Sequence, residues 1–145
     1  MNTTEPSDAR QAALRSLDRL VGTWTVDGAP GTTGTISYAW MDGGNFLVQT
    51  IDLIADGEPT RGVEYIGFDP GTQTLRSHYF AHSGEILEYT YQVSGDTLTI
   101  WFGGADSPAE FVGTFDPTGT RNTGAWVWPG GGYESTMTRV EGAER

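Results

Sequence analysis

Cysteine and lysine are both absent from this chain of 145 residues. Without cysteine the chain can form no disulfide, no thiolate metal site and no cysteine nucleophile. Without lysine it has neither a Schiff-base lysine nor the lysine of a P-loop. The eight basic residues are all arginines, and with 19 acidic residues they give a formal net charge of −11. Because phosphate groups are bound by clustered cations, this charge argues against nucleic acid and anionic membranes as partners.

Long hydrophobic runs are also missing, since no apolar segment approaches the ~18 residues of a membrane span. The first residues, Met1 to Asp8, lack the charged and apolar regions of a signal peptide. We therefore expect a cytoplasmic protein. The length fits one domain with one core, because domains of about 100–150 residues are the commonest.

Glycine and aromatic residues are abundant, with 21 Gly, 5 Trp, 6 Tyr and 6 Phe. Many turns and many large β-forming side chains favour an all-β domain. A 3.6-residue apolar period occurs only over 8–21, where it predicts a helix capped by Ser7. From Gly22 onward the period is two. The predicted strands are 22–27, 34–41, 46–55, 61–68, 73–81, 85–93, 97–103, 109–115, 120–128 and 133–140.

Short hairpins in succession predict an antiparallel up-and-down sheet, and about ten such strands close into a barrel without a free edge. We predict a single domain over 1–145, with a disordered tail at 1–7, the helix at 8–21 and the barrel at 22–141. With the helix at the base, the turns at 42–45, 69–72, 94–95 and 116–119 fall at the closed end. The connections at 28–33, 55–61, 83–84, 103–108 and 129–132 fall at the open end.

Hairpin register predicts which side chains enter the barrel, because a shift of one residue exchanges the two faces of a strand. Pairing across the turns places Trp40 opposite Leu47 and His78 opposite Tyr89. The remaining predicted pairs are Tyr65 with Arg76, Tyr91 with Leu98 and Trp126 with Ser135. This register directs Val63, Tyr65, Arg76, His78 and Phe80 inward and Glu64 outward.

The start of the barrel resembles a known family. A helix followed by Gly22-Thr23-Trp24 is similar to the Gly-x-Trp signature of lipocalins and the wider calycin barrels. In those proteins an arginine of the last strand packs over the tryptophan at the closed end, and Arg139 holds that place here. Over residues 14–141 the chain also resembles a group of small bacterial lipocalin-like proteins of unknown function. The resemblance implies a calycin-like barrel with the helix covering its closed end.

A more distant resemblance connects the strand count to the nitrobindin-type haem barrels. Those proteins bind the iron with a histidine near the C-terminus, whereas no histidine follows His82 here. The two histidines, His78 and His82, lie four residues apart, which is roughly 13 Å along a strand. They cannot bind one ion together, so we predict no metal site and no cofactor. Haem binding by His78 alone stays open as a third hypothesis.

The predicted lumen combines aromatic walls with a few polar groups, which is typical of a small-molecule site. The leading hypothesis is a barrel that binds a small hydrophobic or aromatic metabolite. The alternative is a core in which these polar groups satisfy one another. The predicted ligand-binding residues are Tyr38, Gln49, Tyr65, Arg76, His78, Phe80, Tyr89, Tyr91, Phe111, Trp126, Trp128, Tyr133 and Ser135.

A second hypothesis is an enzyme that uses the same cavity, a cyclase or isomerase of polyketide-like natural-product intermediates. His78 is the predicted general acid or base because an imidazole titrates near neutral pH. Tyr89 and Tyr65 would orient it or polarise a carbonyl group. The alternative for His78 is a neutral, buried histidine bonded to a tyrosine.

The same register predicts an apolar patch on the outside of the barrel. An exposed patch of this kind often marks an interface, so it predicts a homodimer. The residues predicted to form it are Ile66, Phe68, Leu75, Tyr79 and Trp101.

Overall fold

The computed structural model describes residues 6–29 and 31–140. Its strands are β1 (Gly22–Ala29), β2 (Thr32–Trp40), β3 (Phe46–Ala55), β4 (Glu58–Asp69), β5 (Thr74–Ala81), β6 (Ile86–Ser94), β7 (Thr97–Phe102), β8 (Glu110–Phe115), β9 (Arg121–Trp128) and β10 (Gly131–Arg139). Each strand pairs antiparallel with the next along the chain, and β1 also pairs with β10, so the sheet closes into a barrel. The predicted all-β fold of ten strands is confirmed.

The N-terminal helix is present but differs at both ends from the prediction. It consists of α1 (Pro6–Ser16) and a 3₁₀ turn (Leu17–Leu20). Proline suits the first turn of a helix because the missing N–H would have no helical partner there. The helix therefore includes the last two residues of the predicted tail. The rest of that tail, residues 1–5, the side chain of Ser7 and the predicted barrel end at 141 lie outside what the structure describes.

Three arginines fix the helix against one end of the barrel. Arg10 donates to Asn45 Oδ1 (2.8 Å) and Arg15 donates to the carbonyl of Gly44 (3.2 Å). Arg19 donates to the carbonyl of Gly95 (2.8 Å). Both acceptor segments are turns predicted at the closed end, so the helix covers the base, as expected.

Next to the helix, the closed end of the barrel is filled with apolar side chains. Leu14, Leu17 and Leu20 are fully buried, as is Trp24 on β1. Trp24 Nε1 donates to the carbonyl of Leu20 (2.9 Å), and its ring lies 6.4 Å from that of Phe115. These contacts bury the apolar side of the helix and close the base.

Arg139 completes the base from the last strand. Its guanidinium carbon lies 4.3 Å from the centre of the Trp24 ring, a cation–π arrangement. Its two terminal nitrogens donate to the carbonyls of Val21 (2.6 Å) and Arg19 (2.8 Å). The predicted packing of this arginine over the tryptophan is confirmed, and Arg139 also ties the end of the 3₁₀ turn to β10.

The predicted orientation of β4 is wrong. A two-residue turn, Asp56-Gly57, joins β3 to β4, and both residues have positive φ (52° and 81°), as a type I′ hairpin requires. This turn pairs Ala55 with Glu58 and, further along, Gln49 with Glu64. Glu64 therefore enters the barrel with 4% of its surface exposed, whereas Tyr65 is 41% exposed. The predicted loose connection at 55–61 is a tight turn in the structure, and for this reason the predicted register of β4 is wrong by one residue.

The predicted orientation of β5 is wrong as well. Sequence analysis placed a two-residue turn at Ser83-Gly84, but the amide of Ala81 donates to the carbonyl of Glu85 (2.9 Å), which leaves a three-residue loop. His78 pairs with Glu88 and not with Tyr89. Leu75, Ser77 and Tyr79 face inward, and the residues between them face outward. Because this second error of one residue reverses the first, β6 has its predicted orientation.

In the other four predicted pairs, the two partners do lie on the same face of the sheet. Trp40 lies opposite Leu47, as predicted. The remaining three predicted pairs are displaced by two residues along the strand, which preserves the face. The observed pairs are Tyr65 with His78, Tyr91 with Ile100 and Trp126 with Tyr133.

The corrected register also removes four of the five residues from the predicted outer patch. Trp101 stays on the outer face, partly exposed, because its neighbour Ile100 lines the cavity. Ile66, Leu75 and Tyr79 are 0%, 3% and 8% exposed and lie inside the barrel. Phe68 is partly buried and packs against the core. The contiguous patch from which a homodimer was inferred is therefore absent from the outer face of these strands. The homodimer stays a prediction.

No helix in the described part of the chain is long and apolar enough to cross a membrane.

The register of β5 can be tested by cysteine labelling, because the chain has no cysteine of its own. We expect His78→Cys to react with a maleimide at the rate of an exposed thiol. Ser77→Cys should react far more slowly, because Ser77 is 1% exposed. The reverse order of rates, followed by mass spectrometry on the folded variants, would contradict the register.

The role of Arg139 can be tested by Arg139→Gln, which removes the charge over Trp24 and two hydrogen bonds. We expect the free energy of unfolding to fall by about 2–3 kcal/mol in urea titrations followed by tryptophan fluorescence. The control is Arg121→Gln, at the closed end of the barrel on β9, where the arginine is exposed. Equal stability of the two variants would show that Arg139 does not hold the base together.

Candidate functional site

Above the apolar base, the barrel encloses a cavity of about 250 Å³. Its wall is mostly aliphatic and aromatic, with a small number of polar groups. The lining residues are Val26, Thr32, Ile36, Tyr38, Gln49, Ile51, Leu53, Thr60, Glu64, Tyr79, Tyr89, Tyr91, Leu98, Ile100, Phe111, Asn122, Trp126, Tyr133, Ser135 and Met137. This volume lies just below the ~300–1,000 Å³ of most ligand pockets, so it suits a compact molecule of one or two rings.

Glu64 is the carboxyl in this wall, and two hydroxyl groups hold it. Ser77 Oγ donates to Oε2 at 2.5 Å, and Tyr91 OH donates to Oε1 at 3.0 Å. Ser77 is adjacent on β5 and Tyr91 comes from β6, so three consecutive strands fix the carboxyl group. Both partners are neutral, so they orient Glu64 without neutralising its charge.

Burial raises the pKa of Glu64 from 4.5 to about 7, because an ionised carboxylate is poorly solvated in this wall. The hydrogen bonds from Ser77 and Tyr91 oppose this effect, since both favour the charged form. Glu64 therefore changes charge near neutral pH, where His78 was predicted to act as the general acid or base.

The tyrosines around Glu64 keep their protons in the same pH range. Burial raises the pKa of Tyr89 to about 12, and burial together with the Glu64 charge raises the pKa values of Tyr38 and Tyr91 further. Gln49 Nε2 donates to Tyr38 OH at 3.0 Å, which leaves the Tyr38 proton for another acceptor. The phenols are therefore neutral hydrogen-bonding groups.

A second polar group, Asn122 of β9, lies at the lower end of the cavity. Its side chain is fully buried, and neither its amide nitrogen nor its amide oxygen has a hydrogen-bond partner among the described residues. Buried amides are normally paired, so this one is available to a water or to a polar group of a bound molecule.

Aromatic rings form one side of the cavity. The ring of Trp126 lies 6.1 Å from that of Tyr89 and 5.8 Å from that of Phe111, in edge-on and tilted arrangements. Such contacts fix the rings in place and leave their remaining faces as apolar wall.

A wider hollow of about 560 Å³ adjoins the cavity near the β5–β6 hairpin. Thr60, Tyr79 and Tyr89 line both spaces. Tyr79 OH donates to the carbonyl of Arg61 at 3.2 Å, which holds its ring between the two. These side chains therefore stand between the inner cavity and the rim of the barrel.

The structure brings eight of the predicted ligand-binding residues to the cavity. They are Tyr38, Gln49, Tyr89, Tyr91, Phe111, Trp126, Tyr133 and Ser135. Trp128 is 42% exposed at the end of β9, where its ring lies 6.0 Å from that of Tyr133. It does not line the cavity.

Four predicted site residues lie on the outer face, contrary to the sequence interpretation. They are Tyr65, Arg76, His78 and Phe80. The side chain of His78 is 55% exposed, its Nε2 lies 3.5 Å from Glu88 Oε2, and its ring lies 6.3 Å from that of Phe80. Of the predicted catalytic residues, Tyr89 alone faces the lumen. Tyr65 on β4 and His78 on β5 face outward, because the predicted register of each strand is wrong by one residue.

Sequence analysis missed Glu64, which it placed outside. The signal that could have found it is the Asp56-Gly57 dipeptide, because Asp-Gly is typical of a two-residue hairpin. Counting back from that turn pairs Gln49 with Glu64 and directs both inward. Tyr79 was missed for the same reason.

The comparisons with known proteins add no family. No protein-family model matches the chain, and a search of curated proteins finds no match.

The raised pKa of Glu64 predicts a specific pH dependence of stability. A carboxyl with a pKa near 7 in the folded state and 4.5 when exposed favours folding most fully at low pH. That contribution is lost as the pH rises through this interval, by roughly 3 kcal/mol in total. Glu64→Gln cannot titrate. From pH 5 to pH 8 we expect the native protein to lose about 2–3 kcal/mol relative to this variant in chemical unfolding. Parallel stability curves would contradict the burial of an ionisable Glu64.

Proposed function

We propose that this protein binds a small hydrophobic or aromatic molecule inside the barrel. The observation that carries the proposal is the carboxyl of Glu64 in the wall of an otherwise apolar cavity. A core that served stability alone would be better filled by an apolar side chain, because burying an ionisable group costs free energy. Asn122, with neither of its polar side-chain atoms partnered among the described residues, supports the same interpretation.

We also propose that the barrel is calycin-like. The support is the helix leading into Gly22-Thr23-Trp24, the guanidinium of Arg139 over Trp24, and the closed antiparallel order of the ten strands. A cytoplasmic location and a homodimer stay as predictions of the sequence.

The second candidate is an enzyme, a cyclase or isomerase that acts in the same cavity. The specific observation is again Glu64, whose pKa of about 7 suits a general acid or base. Glu64 would take the role that sequence analysis gave to His78, and Tyr89 or Tyr38 would donate to a developing oxyanion. Turnover of an activated ketone that is lost in Glu64→Gln would distinguish this candidate from binding alone.

We do not propose haem binding in the lumen. Neither histidine of the chain lines the inner cavity, so its wall offers no imidazole to an iron: His78 lies on the outer face, and His82 lines the hollow near the rim.

The binding proposal is tested by filling the cavity. Ser135 lines it and Glu134, the next residue, is exposed on the other face, so Ser135→Trp and Glu134→Trp form a matched pair. We expect native protein and Glu134→Trp to bind benzyl alcohol saturably in isothermal titration calorimetry. Ser135→Trp should bind it at least about tenfold more weakly, or 1.4 kcal/mol.

Two outcomes would contradict the proposal. One is no saturable binding of benzyl alcohol by the native protein. The other is equal affinity in both tryptophan variants, which would place the bound molecule outside the barrel. Circular dichroism of each variant confirms that the fold is retained.

A further inference from the structure

The carboxyl of Glu64 lines the cavity and accepts fewer hydrogen bonds from the described residues than it can. An ionised carboxylate can accept about four hydrogen bonds. Ser77 and Tyr91 supply one to each oxygen. Because Glu64 lines the cavity, a bound molecule can occupy the remaining positions. A group that donates several hydrogen bonds fits this place better than one that only accepts.

The charge around the cavity favours a cation. Among the described residues that line it, Glu64 is the one carboxyl and none is basic. The chain as a whole carries a net charge of −11. A ligand carboxylate or phosphate would meet a like charge here, whereas a protonated amine would meet an opposite one.

The aromatic side of the cavity suits the same class of ligand. Tyr89, Phe111, Trp126 and Tyr133 all line it. The faces of tyrosine and tryptophan rings attract cations, and the same rings offer a large apolar contact area. An ammonium group on a ring or a short hydrocarbon would use both properties.

We propose that the cavity takes a small organic cation, a protonated amine on a compact apolar or aromatic body, with its ammonium group against the carboxylate of Glu64. This inference rests on the proposed binding function and specifies its ligand class. The amine donates to Oε1 and Oε2 while Ser77 and Tyr91 keep the carboxylate in place. No covalent step is involved.

Binding of a cation at Glu64 depends on pH through the ionisation of this carboxyl. The polar groups that face it are Tyr38 on β2, Gln49 on β3, Ser77 and Tyr79 on β5, and Tyr89 and Tyr91 on β6. The four tyrosines have raised pKa values and remain neutral between pH 5 and pH 8. Binding of an ammonium ion that requires ionised Glu64 should weaken by roughly tenfold for each pH unit below 7.

The test compares benzylamine with benzyl alcohol, which has nearly the same shape and no charge. We expect the native protein to bind benzylamine at least about tenfold more tightly at pH 7.5 in isothermal titration calorimetry, a preference of 1.4 kcal/mol. The preference should disappear at pH 5. Benzoate, which carries the opposite charge, should bind more weakly than either.

Two variants identify the group responsible. Glu64→Gln should abolish the preference for benzylamine, so that its affinities for benzylamine and benzyl alcohol at pH 7.5 agree within about threefold, which is less than 1 kcal/mol. Ser77→Ala removes a hydrogen bond that lowers the pKa of Glu64. It should move the midpoint of the pH dependence upward while retaining the preference at high pH.

The outcomes separate this inference from the proposed function. If benzylamine and benzyl alcohol bind equally and both are lost in Ser135→Trp, the cationic ligand class is contradicted. The proposal that the cavity binds a small molecule then still holds. A preference for benzylamine that persists in Glu64→Gln would also overturn this inference, because the charge would lie elsewhere. Absence of binding by both probes would overturn the proposed function together with this inference.

Discussion

The turn at Asp56-Gly57 determines what the barrel contains. Alternate residues of a strand face opposite sides of the barrel wall, so a register fixed at one hairpin fixes the faces of the whole strand. Because this turn has two residues, Glu64 enters the lumen beside Gln49. With one residue more or fewer in the turn, Tyr65 would enter instead, and the cavity would have no carboxyl group.

The barrel divides its stabilising contacts and its cavity between two ends. At the base, Trp24, Arg139 and the buried leucines of the helix form a filled core. Higher up, side chains leave room and polar groups occur in the wall. Burial of Glu64 lowers stability above neutral pH, and the apolar base offsets that cost. A separate closed base therefore allows the lumen to hold a group that is unfavourable for folding.

Sequence reasoning predicted the architecture well and the site in part. The ten strands follow from period-two patterns and turn residues, and the stack of Arg139 on Trp24 follows from a family resemblance. Local patterns indicate where a strand lies, but the lengths of the turns decide which of its side chains enter the barrel. The loop at His82 to Gly84 has three residues, and Gly84 has a φ of 105°. Misjudging it cancelled the earlier error, so the predicted barrel remained self-consistent while β4 and β5 were reversed.

The proposed site depends on an ionisable carboxyl in the wall of the cavity, and the titration of Glu64 itself measures whether it is buried there. Carbon-13 NMR of the glutamate side-chain carboxyls, with the Glu64 signal assigned by its absence in Glu64→Gln, gives that titration. We expect a midpoint near pH 7, well separated from the signals of the other glutamates. A midpoint close to 4.5 would show that Glu64 reaches water, and would contradict both the register of β4 and the site built on it.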